Sequence, residues 1–252
     1  MRKNFGAKPW TYPQPVFIIA SYDENGKPDA MNAAWGGISD SKQISMCLSA
    51  GHKTVKNILA RKAFTVSMAT ADKVAECDYV GIVSANKEPD KLAKAGLHAV
   101  KSEYVDAPVI EELPMAVECR LVSYDQESMI MVGEIVNVSA DESVLTDGNI
   151  DPDKLRPITF DPVTNTYRVL GAVVGNAFSD GNKLKRSGRD EYSPRGRGEF
   201  RLLRDFPLLP VKTASRHNEI RDADGNFHNY TRHAPFCCFW DKRAHLFIEI
   251  NG

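Results

Sequence analysis

Three observations predict a mainly β protein with peripheral helices, folded as an antiparallel barrel or sandwich. Apolar runs of strand length recur from residue 16 to residue 140. The first two are joined by Asn25-Gly26, a strong tight-turn pair. Only short stretches with helical spacing separate the rest, so a regularly alternating βαβ chain is disfavoured.

Taken in order, "VFIIASY" (16–22) is a continuous apolar run of strand length, and "DENGKP" turns it back into "DAMNAAW" (29–35) as a hairpin. "QISMCLS" (43–49) alternates apolar and polar residues and reads as a half-buried strand. A helix is predicted from Thr54 to Arg61, with Val55, Ile58 and Leu59 on one side and Thr54 as its N-cap. "AFTVSMA" (63–69) is the next strand, followed by helical stretches at "DKVAECDYVGIVS" and "PDKLAKAG". Two longer strands are expected at "PMAVECRLVSYD" (114–125) and "SMIMVGEIVNVSA" (128–140).

Charge divides the chain near "KLKRSGRDEYSPRGRGEF". Residues 1–185 carry 20 basic against 24 acidic side chains and are rich in Lys, whereas 186–252 carry 12 against 9, are rich in Arg and hold four of the six His. We read 1–185 as one domain and 186–252 as an Arg-rich appended segment. Acidic residues interspersed in that segment argue against a nucleic-acid-binding arm.

A formal net charge of -1 gives no overall pull toward nucleic acid or an anionic membrane, so an acidic ligand needs a local seat. No run reaches the roughly 20 apolar residues of a membrane span, and no signal-peptide pattern opens the chain, which places the expectation in the cytoplasm. Cys47, Cys77, Cys119, Cys237 and Cys238 are odd in number and form no CxxC pair, so neither a disulfide framework nor a zinc site is expected. Cys47 and Cys119 read as small core residues. No Ser/His/Asp or paired-carboxylate constellation appears, and no catalytic side chain or metal ligand is assigned.

The loop "SAGHKTVKNI" (49–58) leaves a strand through a Gly and enters a helix amid hydrogen-bond donors. Free N–H groups at a helix start, together with the dipole, suit a phosphate or carboxylate. "GHKT" is not a P-loop, because that motif needs an adjacent Gly-Lys pair with a Gly five residues before it, and His52 breaks the adjacency. In the preceding strand, small residues flank Asn32 and Trp35 follows, which suits close approach of a flat heteroaromatic ring. Together the two features suggest a ligand with a ring at one end and a phosphate at the other.

At these positions the sequence resembles the flavin reductase-like, or flavoredoxin-like, family of FMN-binding split β-barrels. The resemblance spans roughly residues 8 to 185 through "PQPVFIIASYDENGKPDAMNAAWGG", "SMCLSAGHKTVKNILARKAFTVSMA", "APVIEELPMAVECRLVSY" with "MVGEIVNVSADESVL", and "YRVLGAVVGNAFSDGNKLK". It implies an antiparallel Greek-key barrel, FMN at the barrel mouth and a homodimer. By position, Asn32, Ala33, Ala34 and Trp35 line the isoalloxazine ring, while Ser49, His52, Lys53 and Thr54, helped by Asn57, hold the ribityl phosphate. His98 and Tyr104 could border a nicotinamide site, although a surface loop is their commoner fate. The implied activity is an NAD(P)H-dependent flavin reductase, with NADH or NADPH as electron donor. The alternative is an FMN electron carrier served by a redox partner protein.

Overall fold

The computed structural model describes residues 1–187 and, beyond them, Ile220–Arg221 and Phe227–His228. Cys237, Cys238 and most of the Arg-rich segment lie outside the described residues. The chain divides into two units, Met1–Gly181 and Asn182–Gly252.

The first unit opens with β1 (Gln14–Pro15), β2 (Phe17–Tyr22), β3 (Pro28–Ala33), β4 (Gly36–Asp40), β5 (Gln43–Cys47) and α1 (Lys53–Arg61). β6 (Ala63–Met68), α2 (Val74–Ile82), α3 (Lys91–Lys94), β7 (Ala99–Lys101) and β8 (Pro108–Ile110) follow. Next come β9 (Met115–Asp125), β10 (Ile130–Ala140), β11 (Leu145–Thr146), β12 (Asn149–Ile150), α4 (Pro152–Leu155), β13 (Ile158–Asp161) and β14 (Thr166–Val169). Of the second unit, the described parts are a helix at Asn182–Ser187 and an antiparallel pairing of Ile220–Arg221 with Phe227–His228.

Seven strands form one antiparallel sheet in the order β3-β2-β6-β9-β10-β5-β4. Its two edge strands are consecutive in sequence, joined only by Ala34 and Trp35. Laid flat, those edges would stand about 29 Å apart, six spacings of about 4.8 Å. The link from Ala33 to Gly36 reaches at most about 11 Å. The sheet must therefore curl until β3 and β4 approach without pairing, which makes a split barrel with Ala34 and Trp35 at its seam.

The expected β2–β3 hairpin forms with Ile19 opposite Met31, and Gly26 supplies the positive φ (80°) of its turn. β2 is buried on both sides, which explains its unbroken apolar run. Phe17 and Ile19 join Met31, Ile44, Met46, Phe64 and Met131 inside the barrel, with Val55 and Ile58 of α1 packed among them. Ile18 and Ala20 face outward beneath Cys77 and Val80 of α2, with Leu92, Leu97, Ile110 and Ile158 completing that second layer. β5 alternates as its sequence predicts: Ile44 and Met46 are buried, while Gln43, Ser45 and Cys47 are half-buried on the opposite side. Cys47 is therefore only partly the core residue expected, whereas Cys119 is fully buried. Burial pushes the Cys119 thiol up to about 12, so it stays protonated and apolar.

A short antiparallel pairing of β1 with β13 ties the N-terminal segment to the domain. Tyr12 Oη donates to Asp161 Oδ1 (2.5 Å), and Arg168 Nε lies 3.1 Å from Asp161 Oδ2. The Tyr12 hydroxyl is the largest influence holding the Asp161 carboxyl well below the usual carboxylate range, against the opposing effect of burial. Because the folded value is depressed, this contribution to stability is fully present above the unfolded pKa of about 4 and is lost as the pH falls toward the folded value. Asp161→Asn should therefore lower the unfolding midpoint at pH 7 and lower it progressively less as the pH drops below 4. An equal loss at every pH in thermal melts would contradict this linkage.

Candidate functional site at the start of helix α1

α1 begins differently from the sequence expectation. The N-cap position is His52, in an extended conformation (φ -67°, ψ 138°), and no side chain caps the helix. Thr54, expected as the cap, lies inside the first turn with 1% exposure, and its hydroxyl donates to Asp29 Oδ2 at 2.6 Å. The physical reason is the inward position of Asp29: a buried carboxylate needs a donor, and Thr54 Oγ1 supplies one. The Thr54 side chain is thus not presented to the loop, and what this residue offers a ligand is its backbone N–H.

The consequence is an open helix start. Lys56 N–H donates to His52 O at 3.2 Å, so the N–H groups of Lys53, Thr54 and Val55 precede the first intrahelical donor and have no acceptor one turn back. No acidic residue occupies the first turn. The loop is itself ordered, with His52 N–H donating to Ser49 O (3.2 Å) and Asn86 Nδ2 donating to Gly51 O (3.1 Å). Ser49, Gly51 and His52 are exposed, while Lys53 is half-buried with Nζ 3.8 Å from Asp23 Oδ2. Burial alone would raise the Asp23 carboxyl, but N–H bonds from Lys27 and Asn25 and the charges of Lys53 and Arg61 hold it low. One turn into α1, Asn57 is 2% exposed and its Nδ2 has no hydrogen-bond partner. An orphaned donor is costly to bury.

The second cluster lies at the seam. Ala33 pairs with Phe17 and shares its inward face, whereas Asn32 pairs with Ile18 and shares the outward one. Their side chains do not converge on one surface. Asn32 Nδ2 donates to Cys77 O at 3.1 Å, and the backbone of Gly81 packs so tightly that a Cβ there would lie 2.8 Å from Asn32 Cβ. Ala34 is half-buried and Trp35 is 54% exposed just past the end of β3. Ala34, Trp35 and Gly36 form one wall of a crevice of about 440 Å³, and Trp10 and Gln14 of the N-terminal segment form the other. Gly36 has no room for a side chain, since a Cβ would fall 2.8 Å from both Met46 Cγ and Ser45 O.

Sequence reasoning missed Asn86, which steadies the loop, Trp10, which walls the crevice, and Asp29, which binds Thr54. The last had a signal: an acid two residues before Met31 in a strand must share that residue's inward face. His98 and Tyr104 are both exposed, and the His98 ring lies 2.5 Å from Glu112 Oε1. That hydrogen bond and the carboxylate charge raise the imidazole above its usual range. Among the described residues no cluster of three or more metal-ligating side chains occurs, and no helix is long and apolar enough to cross a membrane.

The family described as "Flavin reductase like domain" matches residues 10–158. Among solved structures, the chain is similar to a flavoredoxin of Desulfovibrio vulgaris (Miyazaki F), with 40% identity and a TM-score of 0.69 over 72% of this chain and 100% of that one. A flavoredoxin of Methanosarcina acetivorans has the same fold, with 24% identity and a TM-score of 0.66 over 73% of this chain and 99% of that one. A protein of Aquifex aeolicus is 24% identical over 156 residues, 58% of this chain and 79% of its own length. The matched stretch contains both the open start of α1 and the barrel seam, and the chain belongs to the flavin reductase-like domain family.

Proposed function

We propose that the protein binds FMN and passes electrons through it, with the phosphate at the start of α1 and the ring system along the seam. The observation that carries this reading is the uncapped first turn of α1, free of acidic residues and backed by the orphaned Asn57 amide. These groups fit a dianionic phosphate, which needs several donors and no carboxylate within the turn that presents them. The fit at the seam is a matter of space: Ala33, Ala34 and Gly36 keep the backbone accessible, and Trp35 offers an aromatic wall. Asn32 spends one Nδ2 proton on Cys77 O, which holds its amide toward α2.

FMN, when bound, supplies the hydride and electron chemistry. The chain's own residues bind and orient. The N–H groups of Lys53, Thr54 and Val55 donate to the phosphate oxygens, Lys53 and His52 add side-chain donors, and Ser49 shapes the turn that presents them. We further propose that the protein works as a homodimer, a reading supported by the exposure of Trp35 and Ile38 beside the seam.

NADH or NADPH as direct donor is the first reading of the activity. A second, a flavoredoxin-type carrier reduced by a partner protein, is favoured by the 40% identity to a flavoredoxin. Anaerobic titration of the FMN-loaded protein separates them. Bleaching of the flavin absorbance by stoichiometric NADH or NADPH supports the reductase; bleaching only by dithionite or a partner reductase supports the carrier. Failure to take up FMN at all would overturn both.

A further inference from the structure

Beneath the first turn of α1 lies a charged pair that the proposed chemistry does not use. Asp29 on β3 is 6% exposed and Lys91 at the start of α3 is 3% exposed, with Nζ and Oδ1 3.2 Å apart. Lys91 Nζ also donates to Val80 O (3.2 Å) and Val83 O (3.1 Å) at the C-terminal end of α2. Two of its protons thus meet carbonyl acceptors at the negative end of a helix dipole, while Asp29 Oδ1 holds it as an ion pair without a hydrogen bond. The other oxygen of Asp29 accepts the Thr54 hydroxyl at 2.6 Å.

We propose that Lys91 is a positioning residue for the phosphate of the flavin nucleotide, acting through Asp29 and Thr54. The inference rests on the phosphate reading above. Asp29 fixes the first turn of α1 by taking the Thr54 hydroxyl, but its own negative charge, one side chain away from the seat, would repel the phosphate. In a buried setting that repulsion is weakly screened. Lys91 neutralises it, so that Asp29 can hold the turn without opposing the ligand. The arrangement also explains why Thr54 does not cap its own helix: the hydroxyl serves the buried carboxylate and the N–H remains free.

The test compares FMN with riboflavin, which shares the ring and lacks the phosphate, by flavin-fluorescence titration of the full chain. The wild type should prefer FMN. Lys91→Met should weaken FMN by about tenfold or more while riboflavin changes by less than about threefold. Adding Asp29→Asn to Lys91→Met removes the uncompensated charge and should restore the preference to within about threefold of wild type. Equal losses for both ligands, an unchanged preference, or a double variant no better than the single one would each overturn the proposal and leave the phosphate reading standing. Should Lys91→Met fail to fold, Asp29→Asn alone decides: it leaves the lysine positive and must hold or raise the preference for FMN, and a fall overturns the proposal. A wild type that binds both ligands equally would bring down the phosphate reading and this inference together.

Discussion

Gly133→Val is expected to destabilise the barrel by about 3 kcal/mol, a large share of the total stability of a domain. A Cβ on Gly133 would lie 2.3 Å from Phe64 Cζ, 2.9 Å from Phe64 Cε1 and 3.3 Å from Cys119 Cβ. Phe64 is fully buried among Ile19, Met46 and Met131, so its ring has nowhere to retreat. The position also adjoins an irregularity of register between β9 and β10, at Val132 and Gly133, where a bulge can bend the sheet toward closure. Gly133→Ala should show the same effect more weakly, because the clash outweighs the unfolded-state entropy that Ala removes. Combining it with Phe64→Leu, which shortens the clashing side chain, should recover part of the loss. A urea midpoint unchanged in Gly133→Val would contradict the packing described here.

His52→Asp is expected to move stability and affinity in opposite directions. An Asp at this extended N-cap can accept the N–H groups of Thr54 or Val55 and places a negative charge at the positive end of α1. The protein without flavin should gain about 0.5–2 kcal/mol. FMN should lose one or two charge-assisted hydrogen bonds of about 1.5–3 kcal/mol each and meet a like charge, a fall of about a hundredfold in affinity. His52→Ser, a neutral cap, should stabilise comparably and weaken FMN less. Thermal melts without flavin and titrations with it give both readouts. An FMN affinity unchanged by His52→Asp would show that the phosphate sits elsewhere.

Much of the barrel was legible in the sequence because short-range chemistry dictates it. Asn25-Gly26 forces the first hairpin, and the alternation of β5 fixes which of its side chains enter the core. β4 was not legible: "GGISD" carries two glycines and one apolar residue, and only its pairing with β5 makes it a strand. The curling of the sheet likewise emerges only when the two edge strands prove to be sequence neighbours. At the site, the anion-seeking character of "GHKTVKN" could be read from residue types alone. The role of Thr54 could not, because the choice between capping its own helix and bonding a carboxylate 25 residues earlier is made by tertiary packing. Asn32 shows the same limit, since its amide is committed to a carbonyl of α2 that lies 45 residues further along the chain.

The most direct test of the phosphate seat is a crystal structure grown with FMN, read as the distances from the phosphate oxygens to the backbone nitrogens of Lys53, Thr54 and Val55. At least two of those nitrogens should lie about 3 Å from a phosphate oxygen, with the ring against Ala34 and Trp35. A phosphate bound away from α1, with these nitrogens facing solvent or the protein's own side chains, would contradict the account.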